Sequence, residues 1–152
     1  VLLLVFAANA APVILHRLIG VTAALDGGRT LADGRPLFGP SKTRAGLVAG
    51  MLAPALISSV TGFGLLLGLI VGLLAMAGDL LASFIKRRMG LASEAQAIGL
   101  DQLPESLLPA IGASMLLPLG WADILAVGFG FMILEMLLSP LLHRLGLRKH
   151  PY

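Results

Sequence analysis

Over residues 63–85 the chain carries a single charge, Asp79, and directly after this apolar run come Lys86, Arg87 and Arg88. A helix needs about 17–25 apolar residues to cross hydrocarbon, so this stretch reads as a membrane span ending on a basic flank. A carboxylate at the centre of such a helix costs roughly 2.5–3.5 kcal/mol on insertion scales. Asp79 lies about two turns from the flank, which lowers the cost but still demands a partner. At about 100° per residue, Asp79, Ser83, Lys86 and Arg87 share one side of the helix. An acid, a hydroxyl and cations converging at a membrane surface suit a metal ion and phosphates.

The whole chain agrees with this reading. Its 152 residues are 57% hydrophobic and only 12% charged, with a mean hydropathy of +0.95, whereas a soluble domain is about a quarter charged. An all-α, polytopic membrane protein is expected, a bundle of five transmembrane helices with two loops on one face, forming a single domain over 1–152. The spans are drawn at about 1–15, 45–61, 63–85, 107–121 and 124–143. The chain opens at Val1 with the apolar run already under way, so residues are expected to precede it. Ala7-Ala8-Asn9-Ala10-Ala11 resembles a signal cleavage site, but no basic segment precedes it and further spans follow. There are no cysteines, which excludes disulfides, thiolate metal sites and a cysteine nucleophile.

All 11 lysines and arginines fall on one side of this topology. Arg17, Arg29, Arg35, Lys42 and Arg44 border or occupy the first loop. Lys86, Arg87 and Arg88 open the second, and Arg144, Arg148 and Lys149 lie in the tail. The connections near Thr61-Gly62 and Trp121-Ala122-Asp123 hold none. The positive-inside rule then puts both loops and the tail in the cytoplasm and the amino terminus outside, in a multi-pass protein of the cell membrane.

The loop at 23–44 carries turn signals at Asp26-Gly27-Gly28, Asp33-Gly34 and Gly39-Pro40, and the loop at 89–106 is broken by Gly90, Gly99 and Pro104. Gly64, Gly68 and Gly72, and likewise Gly46 and Gly50, form small-residue stripes that let helices approach closely. Pro54, Pro109, Pro118 and Pro140 are expected to kink their helices.

Three clusters bear chemistry. The first is Asp79 with Ser83, Lys86, Arg87 and Arg88. Bases after a span ordinarily anchor at headgroups, but anchoring needs no acid a turn deeper. The second is Asp101-Gln102-Leu103-Pro104-Glu105-Ser106. It reads either as a helix start, with Pro104 and Glu105 in the first turn, or as the source of a second metal carboxylate, Asp101. Magnesium takes one or two protein carboxylates and completes its shell with water and phosphate oxygens. The third is Gly39-Pro40-Ser41-Lys42-Thr43-Arg44-Ala45-Gly46, either a basic helix start or a pair of phosphate clamps, Lys42 and Arg44, aided by helix-start amides. It lacks the Walker spacing. Asn9 is polar within an apolar span, which suits an interhelical hydrogen bond. Glu135 is an intramembrane acid with no assigned role. His16, His143 and His150 have no metal-binding spacing.

Taken in order, Ala8-Asn9-Ala10-Ala11-Pro12-Val13, Ser41-Lys42-Thr43-x-x-Gly46, Gly78-Asp79-x-x-x-Ser83-Phe84-x-Lys86-Arg87-Arg88, Asp101-Gln102-Leu103 and Pro140-Leu141-Leu142-His143 resemble the CDP-archaeol synthases, relatives of the phosphatidate cytidylyltransferases. The resemblance implies cytidylyl transfer from CTP to a membrane lipid phosphate, giving a CDP-lipid and pyrophosphate, with Mg2+ as cofactor. It implies catalytic roles for Asp79, Asp101 and Lys86, with Asp79 and Asp101 on the metal. It further implies substrate contacts from Asn9, Ser41, Lys42, Thr43, Arg44, Ser83, Arg87, Arg88, Gln102 and Glu105. The sequence departs from the family pattern in two places. Pro104 stands where the pattern continues with Asp, and Glu105 follows it, so either Glu105 substitutes for that acid or fewer protein ligands hold the metal. Arg44 stands where an aromatic residue is common.

A small transporter using Asp79 and Glu135 is the rival reading. It accounts for intramembrane acids but not for acids, amides and bases gathered on one face. A structural or assembly protein has only the glycine stripes in its favour, and nothing indicates a nucleic-acid partner.

Overall fold

The computed structural model describes residues 1–20, 22–93 and 95–144. It contains five α-helices: α1 (Leu2–Ile19), α2 (Arg44–Val60), α3 (Leu65–Arg88), α4 (Gln102–Ala113) and α5 (Trp121–Arg144). Among the described residues there is no β-strand, only isolated bridges pairing Ala24 with Thr43 and Thr30 with Pro36. Three stretches are long and apolar enough to cross a membrane: Leu2–Ile19, Leu65–Arg88 and Trp121–Pro140. Helix α2 is apolar but shorter, with 17 residues.

The fourth helix differs most from expectation. It runs over Gln102–Ala113 rather than 107–121 and has 12 residues. It starts early because Pro104 sits in its first turn, where a missing N–H costs nothing. It stops early because Leu117-Pro118 follows, and a residue before proline avoids the helical region. The connection to α5 therefore falls at 114–120, and Trp121-Ala122-Asp123 forms the first turn of α5, where Asp123 Oδ2 accepts from Gly120 N at 2.9 Å. Pro12, Pro54, Pro109 and Pro140 lie inside helices, whereas Pro118 lies outside them.

Helix α3 is central, packing against α1, α2 and α4, while α5 lies on α4 and α1. Leu4, Val5, Leu67, Val71, Ala113 and Phe131 form one buried core and Ala8, Ala75 and Met76 a second. Glycine permits this closeness. A Cβ on Gly68 would lie 2.3 Å from the Pro54 carbonyl oxygen, and one on Gly72 2.7 Å from that of Met51. Gly50 admits both Met76 and the Ala8 carbonyl, the carbonyl that Pro12 deprives of its helical donor. Gly64 does not belong to the packing stripe. It has φ 86° and open space around it, and it caps α3 at the hairpin turn.

Helix α3 ends abruptly, and this end positions the site. Leu91 N donates to Lys86 O at 3.0 Å and Gly90 N to Arg87 O at 3.1 Å, with Gly90 at φ 78°. These two bonds make a Schellman motif. Its three basic residues lie in the last turn, where the helix dipole favours cations.

Candidate active site

Both loops meet at the end of α3. The first loop is organised by Asp26, which is buried. Its carboxylate accepts from Gly28 N at 2.9 Å, Phe38 N at 2.9 Å and Gly39 N at 3.1 Å. Burial pushes its pKa up, but these amide donors outweigh burial and hold the carboxyl below its usual range. Farther along, Leu31 N donates to Arg35 O and Leu37 N to Arg29 O, both at 3.0 Å, which folds a small hairpin around Asp33-Gly34.

Arg88 pins that hairpin to α3. Its Nη1 donates to both Asp33 oxygens at 2.7 Å, and its Nη2 donates to Arg35 O at 3.3 Å and to Pro36 O. The guanidinium also lies 5.3 Å from the Phe84 ring centroid, within cation–π range. Arg35 Nη1 returns a bond to Arg88 O. The structure thus engages Arg88 with the loop backbone, a task that its expected substrate contact did not foresee. Asp33, not singled out from sequence, completes the latch; its Asp-Gly turn was the available signal.

Inside the latch lie two acid–base pairs. Lys42 Nζ, from the end of the first loop, meets Asp79 Oδ1 at 2.5 Å and Oδ2 at 2.7 Å. Lys86 Nζ meets Asp101 Oδ1 at 2.6 Å and also donates to Ala95 O at 2.9 Å. Side-chain exposure is 24% and 25% in the first pair, and 11% and 22% in the second, so neither is a freely solvated surface bridge. Burial alone would lower the Lys42 pKa, but Asp79, with help from Glu105 and Asp101, outweighs it and raises the ammonium above its usual value.

Asp101 does not cap α4 with its side chain. Its Oδ2 reaches back to accept from Ala97 N at 2.8 Å, and Gln102 Oε1 accepts from Gly99 N at 2.8 Å, so both shape the second loop. Glu105 is buried in the first turn of α4, within electrostatic reach of Asp79, Lys42, Asp101 and Glu135. Gly78 sets this distance: a Cβ there would lie 2.3 Å from Pro104 O and 2.6 Å from Glu105 N. No reading of spacing had singled out Gly78 as the point where α3 and α4 touch.

The remaining expected residues divide. Ser83 and Arg87 are buried on the same face of α3 as Lys86, as the helical periodicity required. Arg87 donates to Ala92 O at 2.9 Å and lines a cavity of about 270 Å³ with Arg35, Pro36, Pro40 and residues 90–93. Ser41 Oγ lies 3.2 Å from Ser93 Oγ, joining the two loops. Thr43 caps α2, its Oγ1 accepting from Gly46 N at 3.1 Å, while Arg44 is exposed. Asn9 donates to Val5 O at 3.0 Å in its own helix rather than to a neighbouring one. Arg148, Lys149 and His150 lie outside the described residues.

Among the described residues, no three His, Cys, Asp or Glu side chains are grouped to hold a metal ion. Two carboxylates are enough for magnesium when water and phosphate oxygens fill the shell. Asp79 and Asp101 supply hard oxygen donors, and Asp79 already grips a cation, the Lys42 ammonium, with both oxygens. This donor chemistry fits magnesium.

A helical bundle with membrane-crossing helices and a charged cluster closed by two loops at one end is a polytopic membrane protein with a polar site at its boundary. The family model described as CarS-like, CDP-archaeol synthase, matches residues 1–152. A CDP-archaeol synthase from Methanopyrus kandleri is 40% identical over 85% of this chain and 77% of its own length. One from Hyperthermus butylicus is 41% identical over 64% of this chain, a match spanning 60% of that relative's length. A solved structure, described as an intramembrane enzyme for archaeal membrane lipids biosynthesis, is 30% identical with a TM-score of 0.73 and covers 89% of this chain and 87% of that one. The chain belongs to the CDP-archaeol synthase family.

Proposed function

We propose that this protein transfers the cytidylyl group of CTP to a membrane lipid phosphate, releasing pyrophosphate. Within that class, an archaetidic-type acceptor is the reading its family relatives favour. The observation that carries the proposal is the paired arrangement Lys42–Asp79 and Lys86–Asp101 with buried Glu105 alongside, drawn from the first loop, α3, the second loop and α4. It gathers cation ligands and anion ligands where an apolar bundle meets its loops, as a reaction between a lipid-dissolved and a water-dissolved reactant requires.

In this reading an oxygen of the lipid phosphate forms a bond to the α-phosphorus of CTP. The bond from that phosphorus to the bridging oxygen breaks, and its electron pair leaves with pyrophosphate. The attacking phosphate is already ionised, so no strong base is needed, and catalysis rests on positioning and charge compensation. Lys42 and Lys86 hold phosphate oxygens, Asp101 is fixed by Ala97 N, and Arg87 presents its guanidinium between the loops. Magnesium on Asp79 and Asp101 would offset charge on the departing group. The basic residues of both loops support a cytoplasmic site and an external amino terminus.

Purified protein given α-labelled CTP, Mg2+ and mixed ether- and ester-linked lipid phosphates should yield labelled CDP-lipid, with mass spectrometry naming the acceptor. Ion flux in proteoliposomes without CTP consumption would replace this reading with a transporter.

A further inference from the structure

The two carboxylates proposed for the metal and the two ammoniums proposed for phosphate are engaged with one another. Lys42 spans both oxygens of Asp79, and Lys86 holds Asp101 while donating to Ala95 O. Each pair is only partly exposed, its side chains three-quarters or more covered, so neither separates into solvent without cost. Taking one member from a largely covered ion pair leaves its partner's charge uncompensated, which disfavours the separation. A cation arriving alone must therefore evict Lys42, and an anion arriving alone must draw Lys42 off Asp79. When both arrive, the pair is broken once for the two.

We propose that Lys42 is an exchangeable counter-ion: it reserves Asp79 in the resting protein, yields it to the divalent cation, and swings to the anionic substrate. This inference rests on the magnesium assignment of Asp79 above. The exchange preserves charge, since the ammonium leaving a carboxylate for a metal meets a phosphate oxygen in return. It also makes cation and anion binding reciprocally favourable through a shared competitor, as linkage requires. Lys42 suits this task. It sits at the end of a loop rather than within a helix, and its flexible stem carries a compact point charge. Lys86 is the more fixed partner, because Ala95 O holds its ammonium as well.

The test uses Mn2+ alone, without nucleotide, on the full chain in detergent. Mn2+ affinity is read by electron paramagnetic resonance in wild type, Lys42→Met, Lys42→Gln and Asp79→Asn, with circular dichroism melts to confirm folding. A parallel arm needs no variant for its main signal: acetic anhydride labelling of Lys42, read by mass spectrometry with and without Mg2+. Exchange predicts Mn2+ binding about tenfold tighter in Lys42→Met, within the usual 5–150-fold range of site coupling. It also predicts that Mg2+ raises Lys42 labelling in wild type and not in Asp79→Asn. If Asp79→Asn loses Mn2+ while both Lys42 variants bind it no tighter than wild type, and Mg2+ leaves labelling unchanged, the exchange is overturned and the metal assignment stands. If Asp79→Asn binds Mn2+ as wild type does, the metal assignment falls and the exchange with it.

Discussion

Replacing Gly78 with alanine tests whether backbone contact between α3 and α4 sets the site. The added Cβ would lie 2.3 Å from Pro104 O, 2.4 Å from Pro104 C and 2.6 Å from Glu105 N. An unstrained carbon–oxygen contact is about 3.3 Å, so the first turn of α4 must retreat by roughly 1 Å. No side chain can rotate to absorb this, because every atom met is backbone. Overpacking of this kind costs about 1–3 kcal/mol of stability. The retreat carries Glu105 and the Asp101 end of α4 away from Asp79, and a 1 Å misplacement of reacting groups costs about 100-fold in rate. Gly112→Ala is the control. Its Cβ would meet Leu74 Cδ1 at 2.2 Å, nominally as tight, but that atom is the far end of a leucine side chain that can turn aside, and the next contact, Ile70 Cγ2, is already at 3.0 Å. It should cost less than Gly78→Ala, at the low end of the roughly 1–3 kcal/mol typical of overpacking. The assay is Mg2+-dependent transfer of label from α-labelled CTP to lipid, beside circular dichroism melts in detergent. Equal loss in both variants, or wild-type rates in Gly78→Ala, would refute the reasoning.

Four further outcomes are expected. Asp79→Asn should abolish label transfer while membrane insertion, checked by fractionation, is retained. Lys42→Ala should raise the KM for CTP by about tenfold, the loss of one charge-assisted contact, with little change in expression. Asp26→Asn should loosen the first loop by about 1.5–3 kcal/mol, the worth of hydrogen bonds to a charged group. Because the Asp26 pKa is depressed on folding, its stabilisation is complete above the unfolded carboxyl value, near pH ~4, and fades as pH falls through the folded value. Wild-type melts should therefore drop over that acidic window more than those of the variant. Finally, Arg88→Lys, unable to reproduce the fork onto Asp33 and the Arg35 and Pro36 carbonyls, should speed tryptic cleavage within residues 23–44, read by mass spectrometry.

Periodicity and charge made much of this legible in advance. The apolar runs located the helices, because a spanning helix must satisfy its backbone internally and can be recognised by length and hydropathy alone. The helical repeat put Ser83, Lys86 and Arg87 on one buried face, and the basic residues foretold two loops on one side. What spacing could not supply was partner choice. Whether Arg88 grips a phosphate or Asp33 depends on how a loop distant in sequence folds, and that depends on Asp26 drawing in Phe38 and Gly39 amides. The sequence admits Pro104 both as a breaker of the second loop and as a first-turn residue of the fourth helix, and the apolar run alone, drawn at 107–121, does not choose between them; the structure takes the second. Gly64 belonged by spacing to the packing stripe, but its positive φ reveals a turn residue.

The order of the Lys42–Asp79 pair along the chain bears on how the protein is made. Lys42 stands just before α2, and Asp79 lies within α3, so the pair ties the two ends of the α2–α3 hairpin together. When the third helix leaves the ribosome, the base that neutralises its acid has already emerged. The hairpin can thus enter the lipid as a unit whose acid is compensated, which lowers the insertion penalty of an isolated carboxylate. Lys86, by contrast, must wait for Asp101, but it lies at the interface, where its ammonium can stay hydrated until the fourth helix arrives.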